Sequence, residues 1–250
     1  MTAVDFHPRV ALASLSGEAD AEWARAASEY AGLAVMGGIA LDDATREAAR
    51  EMARDRDRTE FLPDDPVAFV DAQLGALDDE PLQSGFNVRT TTLDPLREAA
   101  RVCADHDALL EVNAHCRQDE MCAAGAGESL LASPGRLAEQ VAAASETGAT
   151  VSVKVRAEVE GVDLPTLATR VDDAGADVLH VDAMDSESVV ADVVEAFSGF
   201  VIANNGVRDR ETVAEYADYG ADAVSVGRPS DDPHVLSRVR DAAEEVFDGP

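Results

Sequence analysis

Lysine is almost missing from this sequence, and aromatic residues and long apolar runs are scarce. Lys154 is the only lysine, so the other 19 of the 20 basic residues are arginines, and aromatic residues make up 4% of the chain. No stretch approaches the roughly 20 uninterrupted apolar residues that a membrane-spanning helix needs. Met1 to Arg9 has no basic region followed by an apolar run, as a signal peptide would have. We therefore expect a cytoplasmic protein with no membrane partner.

Cysteine is also rare. The three cysteines, Cys103, Cys116 and Cys122, form an odd set, which argues against a disulfide framework. Cys116 and Cys122 lack the C-x2-4-C spacing of a structural zinc site, and we expect no metal. Each cysteine must therefore be considered on its own.

Acidic residues dominate the charge of the chain. Fifty acidic residues stand against 20 basic ones, which gives a formal net charge of −30. Such a surface repels itself and other anions in dilute buffer, whereas molar salt screens it within about 3 Å. The composition therefore predicts a halophile's protein. An arginine cluster at positions 46, 50, 54, 56 and 58 is interleaved with carboxylates, so we interpret it as a solvated ion-pair face rather than a nucleic-acid patch.

Eight short apolar runs alternate with helical patterns along the chain, which is typical of βαβ units and a parallel sheet. The length of 250 residues is close to the roughly 250 residues of a (β/α)8 TIM barrel. The sequence therefore predicts an α/β fold in which residues 1–250 form one barrel domain. The predicted strands are Val10 to Leu15, Leu33 to Ile39, Gly85 to Arg89, Ala108 to Asn113, Thr150 to Arg156, Asp177 to Asp182, Phe200 to Asn204 and Ala223 to Gly227.

Glycine follows both of the last two predicted strands. Function in these barrels lies on the loops after the strands, and the loops after strands seven and eight commonly hold a phosphate. Gly206 and Gly227 alone would be consistent with tight turns, but the pair favours a phosphate site. The candidate cofactor-binding residues here are Asn204, Gly206, Val207, Gly227 and Arg228.

The fifth predicted strand carries the only lysine. Because side chains alternate along a strand, Ser152, Lys154 and Arg156 share one face, which we expect to point into the barrel. A strand lysine is usually a solvated edge residue. In a chain that has replaced lysine elsewhere, however, a buried charge directed at a cofactor explains Lys154 better, since buried charges need a partner.

A cysteine follows the fourth predicted strand, in the run Asn113, Ala114, His115, Cys116, Arg117. A thiol at a strand end acts as a general acid while it stays protonated, or as a nucleophile when a positive neighbour lowers its pKa. Sequence alone does not choose between these roles. The alternative is a small buried cysteine, which suits Cys103 and Cys122 better than Cys116.

The chain from Val10 to Arg228 resembles the tRNA-dihydrouridine synthases, a family of FMN-dependent barrels. Asn113 to Cys116 is similar to the family's Asn-x-Gly-Cys segment, and Gly125 to Leu131 is similar to its Gly-Ala-Gly-x-x-Leu-Leu run. Lys154, in Val-Lys-Val-Arg, matches the lysine that contacts the flavin. The ends of the seventh and eighth strands match the phosphate loops.

The resemblance implies a two-step reaction. A nicotinamide cofactor, NAD(P)H, reduces FMN, and reduced FMN delivers hydride to C6 of a uracil ring while the cysteine, here Cys116, protonates C5. On this mapping Asn113 orients flavin or substrate, Lys154 lies by the flavin, and Asn87 replaces a glutamine at the isoalloxazine edge. The phosphate would be held by the backbone of Gly206, Val207, Gly227 and Arg228. Because no G-x-G-x-x-G fingerprint is present, we expect NAD(P)H to dock transiently.

The chain also departs from the family. Asp182 stands where the family has a flavin-contacting histidine, so a contact is lost or changes sign. His180 shares the strand face of Asp182. It either takes the place of the family's histidine, serves as a structural histidine, or binds a metal together with Asp182, although two ligands are weak evidence for a metal site. His115 and Arg117 replace a glycine and a proline at the substrate mouth. The candidate substrate-binding residues are His115, Arg117, Arg156 and His180.

The sequence ends at Pro250, shortly after the eighth strand and one helix, so we expect the family's helical tRNA-binding domain to be lacking. That expectation and the acidic surface weaken the case for RNA binding. Three functions remain open: a flavin-dependent reductase of a pyrimidine, in tRNA or free; a flavin-free, phosphate-binding isomerase or lyase; and a non-catalytic subunit of an RNA-modifying complex.

Overall fold

Eight parallel strands form a closed barrel in the computed structural model, which describes residues 4–55 and 59–249. Each strand pairs with its neighbours in chain order, and the last pairs with the first. This confirms the predicted (β/α)8 fold, while the assignment of all 250 residues to one domain stays a prediction. The strands are β1 (Val10–Leu12), β2 (Leu33–Ala40), β3 (Gln83–Arg89), β4 (Leu109–Asn113), β5 (Thr150–Arg156), β6 (Val178–Asp182), β7 (Phe200–Asn204) and β8 (Ala223–Val226).

The bounds of β5 and β7 are as predicted, and each of the other six strands differs from its predicted bounds at one end, by one to three residues. The largest difference is at β1, which ends at Leu12 rather than at Leu15. The amide of Ala13 still donates to Val226 O at 2.9 Å, but the chain then leaves the sheet. An apolar run that includes loop residues therefore overstates the length of a strand.

Ten α-helices lie in the described part of the chain, together with two short 3-10 turns at Gly127–Leu130 and Arg228–Asp231. The long segment between the second and third strands forms two helices. The helices are α1 (Ala21–Ala26), α2 (Asp43–Asp55), α3 (Pro66–Gly75), α4 (Leu93–Asp105), α5 (Asp119–Ala124), α6 (Pro134–Ser145), α7 (Leu164–Asp173), α8 (Val189–Ala196), α9 (Arg210–Asp218) and α10 (Pro233–Phe247).

The abundant aspartates help to define where helices begin. Six helices start after an aspartate whose carboxylate accepts a hydrogen bond from a backbone N–H of the first turn. An N-cap of this kind contributes about 1 kcal/mol and also complements the helix dipole. The capping residues are Asp20, Asp42, Asp65, Asp163, Asp209 and Asp232.

A cluster of apolar side chains fills the barrel at the N-terminal ends of the strands. Val4 and Phe6, which precede β1, pack there against the first residues of several strands, and the Phe6 and Phe200 rings lie 5.4 Å apart. The guanidinium of Arg9 lies 5.3 Å from the centre of the Phe200 ring. We call this cluster the N-terminal plug.

Several surface arginines pair with neighbouring carboxylates. Arg50 and Arg54 form ion pairs with Glu47 and Asp55 at 3.0 Å, as expected for a solvated face. Arg56 and Arg58, which we placed in the same cluster, lie outside the described residues. Among the described helices, none combines the length and apolar character needed to cross a bilayer.

We expect His106→Ala to destabilise the fold more at pH 5.5 than at pH 9. His106 follows α4, and its two ring nitrogens lie 2.9 Å from Asp71 of α3 and from Asp78. The hydrogen bond to Asp71 is the largest of the effects that raise the pKa of His106. Because a raised pKa favours the charged form in the folded state, the contribution is complete below about pH 6.5 and is lost as the pH rises through the folded pKa.

Urea unfolding at the two pH values measures this contribution, which solvent screening keeps below about 1 kcal/mol. Arg101→Ala is the matched control, because Arg101 lies on α4 and is exposed. An equal loss of stability at both pH values would contradict the ion-pair explanation.

Candidate functional site

A cleft opens at the C-terminal ends of the strands and has two lobes of about 430 Å³ each. The lobes share several wall residues, so we treat them as one cleft. We call the part next to Gly206 and Gly227 the glycine lobe, and the part next to Cys116 and Arg117 the cysteine lobe. The shared residues are Ser14, Leu15, His115, Lys154, Asp182, Asn205 and Arg228.

The glycine lobe brings together all five candidate phosphate-binding residues. Asn204 and Val207 line it with the two glycines, and the exposed Arg228 lies at its edge. A Cβ atom built on Gly227 would meet no atom within 4 Å, and one on Gly206 only the Arg208 guanidinium at 3.9 Å. The backbone at both turns therefore faces open space, as an anion cradle requires.

The cysteine lobe contains Cys116, which is half buried, and the exposed Arg117. A hydrogen bond and a close backbone contact hold the turn that carries the thiol. The carbonyl of Cys116 accepts a hydrogen bond from the Glu128 amide at 2.9 Å. Gly127 is required there, because its φ is +60° and a Cβ would lie 2.3 Å from the Cys116 carbonyl oxygen. The Gly125 to Leu131 run thus supports the cysteine from behind.

Lys154 lies between the two lobes and lines both. It is only 4% exposed, and its ammonium makes no hydrogen bond or ion pair with the described residues. Burial lowers its pKa, while the fields of Glu111 and Asp182 oppose that shift. Period 2 predicted correctly that Ser152, Lys154 and Arg156 point inward. A buried ammonium without a partner favours an anionic or hydrogen-bond-accepting ligand.

Beneath the cleft lies a layer of buried polar side chains centred on Glu111, a residue that the sequence reasoning missed. The Glu111 carboxylate is fully buried and accepts from Asn87 at 2.7 Å, Ser152 at 3.1 Å and His180 at 2.8 Å. Burial by itself raises the pKa of Glu111, but the His180 ring, the Lys154 charge and the Asn87 amide overcome it and lower the pKa to about 2. Glu111 is therefore an ionised carboxylate.

Asn87 and His180 belong to this layer and not to the cleft wall. Both are fully buried, and neither lines a lobe. His180 is held between Glu111 and the Ser225 hydroxyl, at 2.8 and 2.7 Å. These bonds fit the structural alternative for His180, and its role as a substrate or flavin contact stays a prediction. Asn87 bonds Glu111 and Asn113, and its place at a flavin edge likewise stays a prediction.

Asp182, the departure from the family pattern, pairs with His115. The Asp182 carboxylate lies 2.5 Å from Nε2 of His115 and also accepts from the Met184 amide at 3.1 Å. Burial raises the pKa of Asp182, but these bonds prevail and lower it. Burial lowers the pKa of His115. The hydrogen bond to Asp182 opposes that shift in the pKa of His115. The imidazole that lines this cleft comes from the loop after β4.

Several arginines line the cysteine lobe. Arg156 is buried and its guanidinium bonds Glu128 at 2.5 Å, whereas Arg117 and Arg228 are exposed and unpaired among the described residues. Arg89, which we had not singled out, lines the same lobe and bonds Glu60 at 2.9 Å in a pair that is 99% buried on both sides. The lobe is thus basic within an acidic protein. No group of three or more possible metal ligands occurs among the described residues.

The cleft fits a flavin nucleotide. Its volume, open glycine backbone and unpartnered buried ammonium provide, in one continuous space, a wall for a ring system and a cradle for a phosphate. Residues that could hold FMN are Lys154 and Asn113 beside the ring, and Asn204, Gly206, Val207, Gly227 and Arg228 around the phosphate.

Comparison with known sequences gives one family. The sequence profile of the dihydrouridine synthase family matches residues 33–248. A curated relative, an uncharacterised protein of Methanocaldococcus jannaschii, is 27% identical in an alignment of 233 residues that covers 88% of this chain and 88% of that protein.

Solved structures show the same fold at low sequence identity. Dihydroorotate dehydrogenase (DHODH) from Eimeria tenella, solved with ferulenol, has a TM-score of 0.72 at 16% identity and covers 98% of this chain and 82% of its own. Morphinone reductase, solved with tetrahydroNAD, has a TM-score of 0.67 at 15% identity, with coverages of 97% and 89%. A chain of a tryptophan synthase complex from Pyrococcus furiosus scores 0.57 at 13% identity, with coverages of 96% and 97%.

Proposed function

Because the chain belongs to the dihydrouridine synthase family and is accordingly a flavin-dependent oxidoreductase, we propose that it uses FMN to reduce the C5=C6 bond of a uracil-type ring. In this proposal NAD(P)H is a reductant that docks transiently. The substrate is a pyrimidine in tRNA or a free pyrimidine.

One observation carries the proposal. Lys154, the only lysine, is a buried ammonium without a hydrogen-bonding partner among the described residues, and it lies where the two lobes join. An oxidised or reduced flavin ring offers acceptor atoms at such a position, and its electron affinity increases beside a positive charge. The glycine lobe then receives the phosphate, and the cysteine lobe receives the substrate ring.

Bound FMN, once reduced, supplies hydride to C6 of the ring. Cys116 holds a proton at Sγ beside C5, so that hydride and proton together saturate the C5=C6 bond and leave a thiolate that regains its proton from solvent. Asn113 orients the loop of Cys116 through its side-chain oxygen, at 2.9 Å from the Cys116 amide. His115, Arg117 and Arg156 border the space for the substrate.

The basic lining of the cysteine lobe supports a substrate that carries phosphate. Arg117 and Arg228 have no ion-pair partner among the described residues, and guanidinium groups bind phosphate well. The formal charge of −30, in contrast, repels a long polyanion such as tRNA. Assays should therefore compare tRNA, uridine monophosphate and uracil in molar KCl.

We expect protein purified in molar KCl to be yellow, with absorbance near about 450 nm, and to release FMN on denaturation. Mass spectrometry of the released ligand identifies it. A colourless protein that does not take up added FMN would favour the flavin-free isomerase or lyase. A yellow protein whose flavin is reduced by NAD(P)H but that converts none of the three substrates would favour a non-catalytic subunit.

A further inference from the structure

A chain of hydrogen bonds in the polar layer leads from Cys116 down to Glu111. Every hydrogen bond in this chain is donated toward Glu111. The Cys116 backbone amide donates to Asn113 Oδ1 at 2.9 Å, and Asn113 Nδ2 donates to Asn87 Oδ1 at 2.8 Å. Asn87 Nδ2 then donates to Glu111 Oε1 at 2.7 Å. Three bonds therefore connect the backbone of the cysteine to a carboxylate inside the barrel.

Both ends of the chain set this direction, because the backbone N–H groups of His115 and Cys116 can only donate and the Glu111 carboxylate can only accept. An ionised carboxylate can only accept hydrogen bonds, whereas a side-chain amide can turn either its oxygen or its nitrogen toward a neighbour. With Glu111 as the end point, Asn87 must present Nδ2 to it and Oδ1 to Asn113. Asn113 must then present Nδ2 to Asn87, which leaves its Oδ1 for the backbone amides of His115 and Cys116, at 3.2 and 2.9 Å.

The other oxygen of Glu111 is already occupied. Oε2 accepts from Ser152 at 3.1 Å and from His180 at 2.8 Å, so only Oε1 is left for Asn87. Asn87, Glu111 and Ser152 are also register partners on β3, β4 and β5, which fixes them at one level of the barrel. Glu111 and Asn87 are fully buried, so water does not offer the Asn87 amide an alternative partner.

We propose that Glu111 is a positioning residue for Cys116: through Asn87 and Asn113 it fixes the backbone of the cysteine and hence the direction of its thiol in the cleft. The positional claim stands on the contacts alone. Its consequence for the proton delivered to C5 rests on the proposed function.

Glu111→Gln tests the claim, because glutamine has nearly the same shape but offers both an oxygen and a nitrogen to Asn87. The acceptor-only anchor of the chain is then lost, and a glutamine that turns Nε2 toward Asn87 opposes the direction that the His115 and Cys116 amides require. We expect amide hydrogen exchange at His115 and Cys116, followed by mass spectrometry of the flavin-bound protein without substrate, to become about tenfold faster. We expect kcat for ring reduction to fall about tenfold while KM and flavin content stay unchanged.

The double variant Glu111→Gln, Asn87→Asp moves the carboxylate one step along the chain. The new carboxylate at position 87 accepts from both neighbours, so Asn113 again turns Oδ1 toward Cys116. We expect slow exchange and kcat to be restored, which a role in packing alone would not produce. Ser152→Ala, which removes a bond to Oε2 and leaves the amide chain intact, is the matched control and should change exchange less than about twofold.

The proposal is overturned if amide hydrogen exchange at His115 and Cys116 is unchanged in Glu111→Gln. It is also overturned if this exchange is no slower in the double variant than in Glu111→Gln. If Glu111→Gln does not fold, Asn87→Ala cuts the same chain without touching Glu111, and unchanged exchange in that variant overturns it equally. If exchange behaves as expected but no substrate is reduced by any variant or by the unmodified protein, the proposed function fails and the positional claim stands.

Discussion

Lys154→Met will weaken FMN binding by about 10- to 100-fold, because a charge-assisted hydrogen bond is worth about 1.5–3 kcal/mol. The methionine keeps the length and apolar stem of the lysine and removes only the charge and its donors. Glu111 retains Asn87, Ser152 and His180 as donors after the substitution, so the polar layer remains satisfied. Titration of the apoprotein with FMN in molar KCl, followed by flavin fluorescence, measures the change.

Arg101→Met is the matched control for Lys154→Met, since it removes one positive charge from an exposed site on α4. It should leave FMN affinity unchanged within about twofold. A Lys154→Met protein that binds FMN as tightly as the unmodified protein would remove Lys154 from the cofactor site. Far-UV circular dichroism of both variants separates lost affinity from lost fold.

Cys116→Ala will slow reduction of the pyrimidine ring by about 10²- to 10⁴-fold, which is the contribution of a positioned general acid. Reduction of the flavin by NAD(P)H needs no proton from the thiol and should continue at the unmodified rate. Stopped-flow absorbance near about 450 nm follows both steps separately: bleaching on addition of NAD(P)H, and return of colour when substrate is added without oxygen.

Cys122→Ala is the control for Cys116→Ala. Cys122 lies on α5, where its thiol donates to the Cys116 carbonyl at 3.5 Å, and burial raises its pKa. We expect this variant to retain ring reduction within about threefold, because a thiol bond of this length is weak. Equal losses in the two variants, or no loss in Cys116→Ala, would show that Cys116 is not the acid.

The architecture and the outline of the cleft could be predicted from sequence because both depend on local patterns. Alternation of apolar runs and helices specifies the barrel, and period 2 places Lys154 and Arg156 inside it. The glycine turns after β7 and β8 follow from the general position of function in this fold. The lengths of the strands depend on where hydrogen bonding stops, as at Leu12, and an apolar pattern does not record that.

The polar layer could not be predicted in the same way, because it depends on the register between strands. Glu111 lies in an apolar strand and looks like a single charged interruption until β3 and β5 are placed beside it. A period of 2 does put Glu111 on the face of Asn113, and that signal was available. Asn87 was selected by family position and His180 by the strand face it shares with Asp182, whereas their hydrogen bonds to Glu111 depend on how the strands are placed.

The N-terminal plug limits the routes by which ligands can reach the cleft. Because Val4, Phe6 and Phe200 fill the opposite end of the barrel, the proposed reductant and the proposed pyrimidine must reach the flavin through the same entrance above the strands. Neither can be delivered from behind while the other is bound.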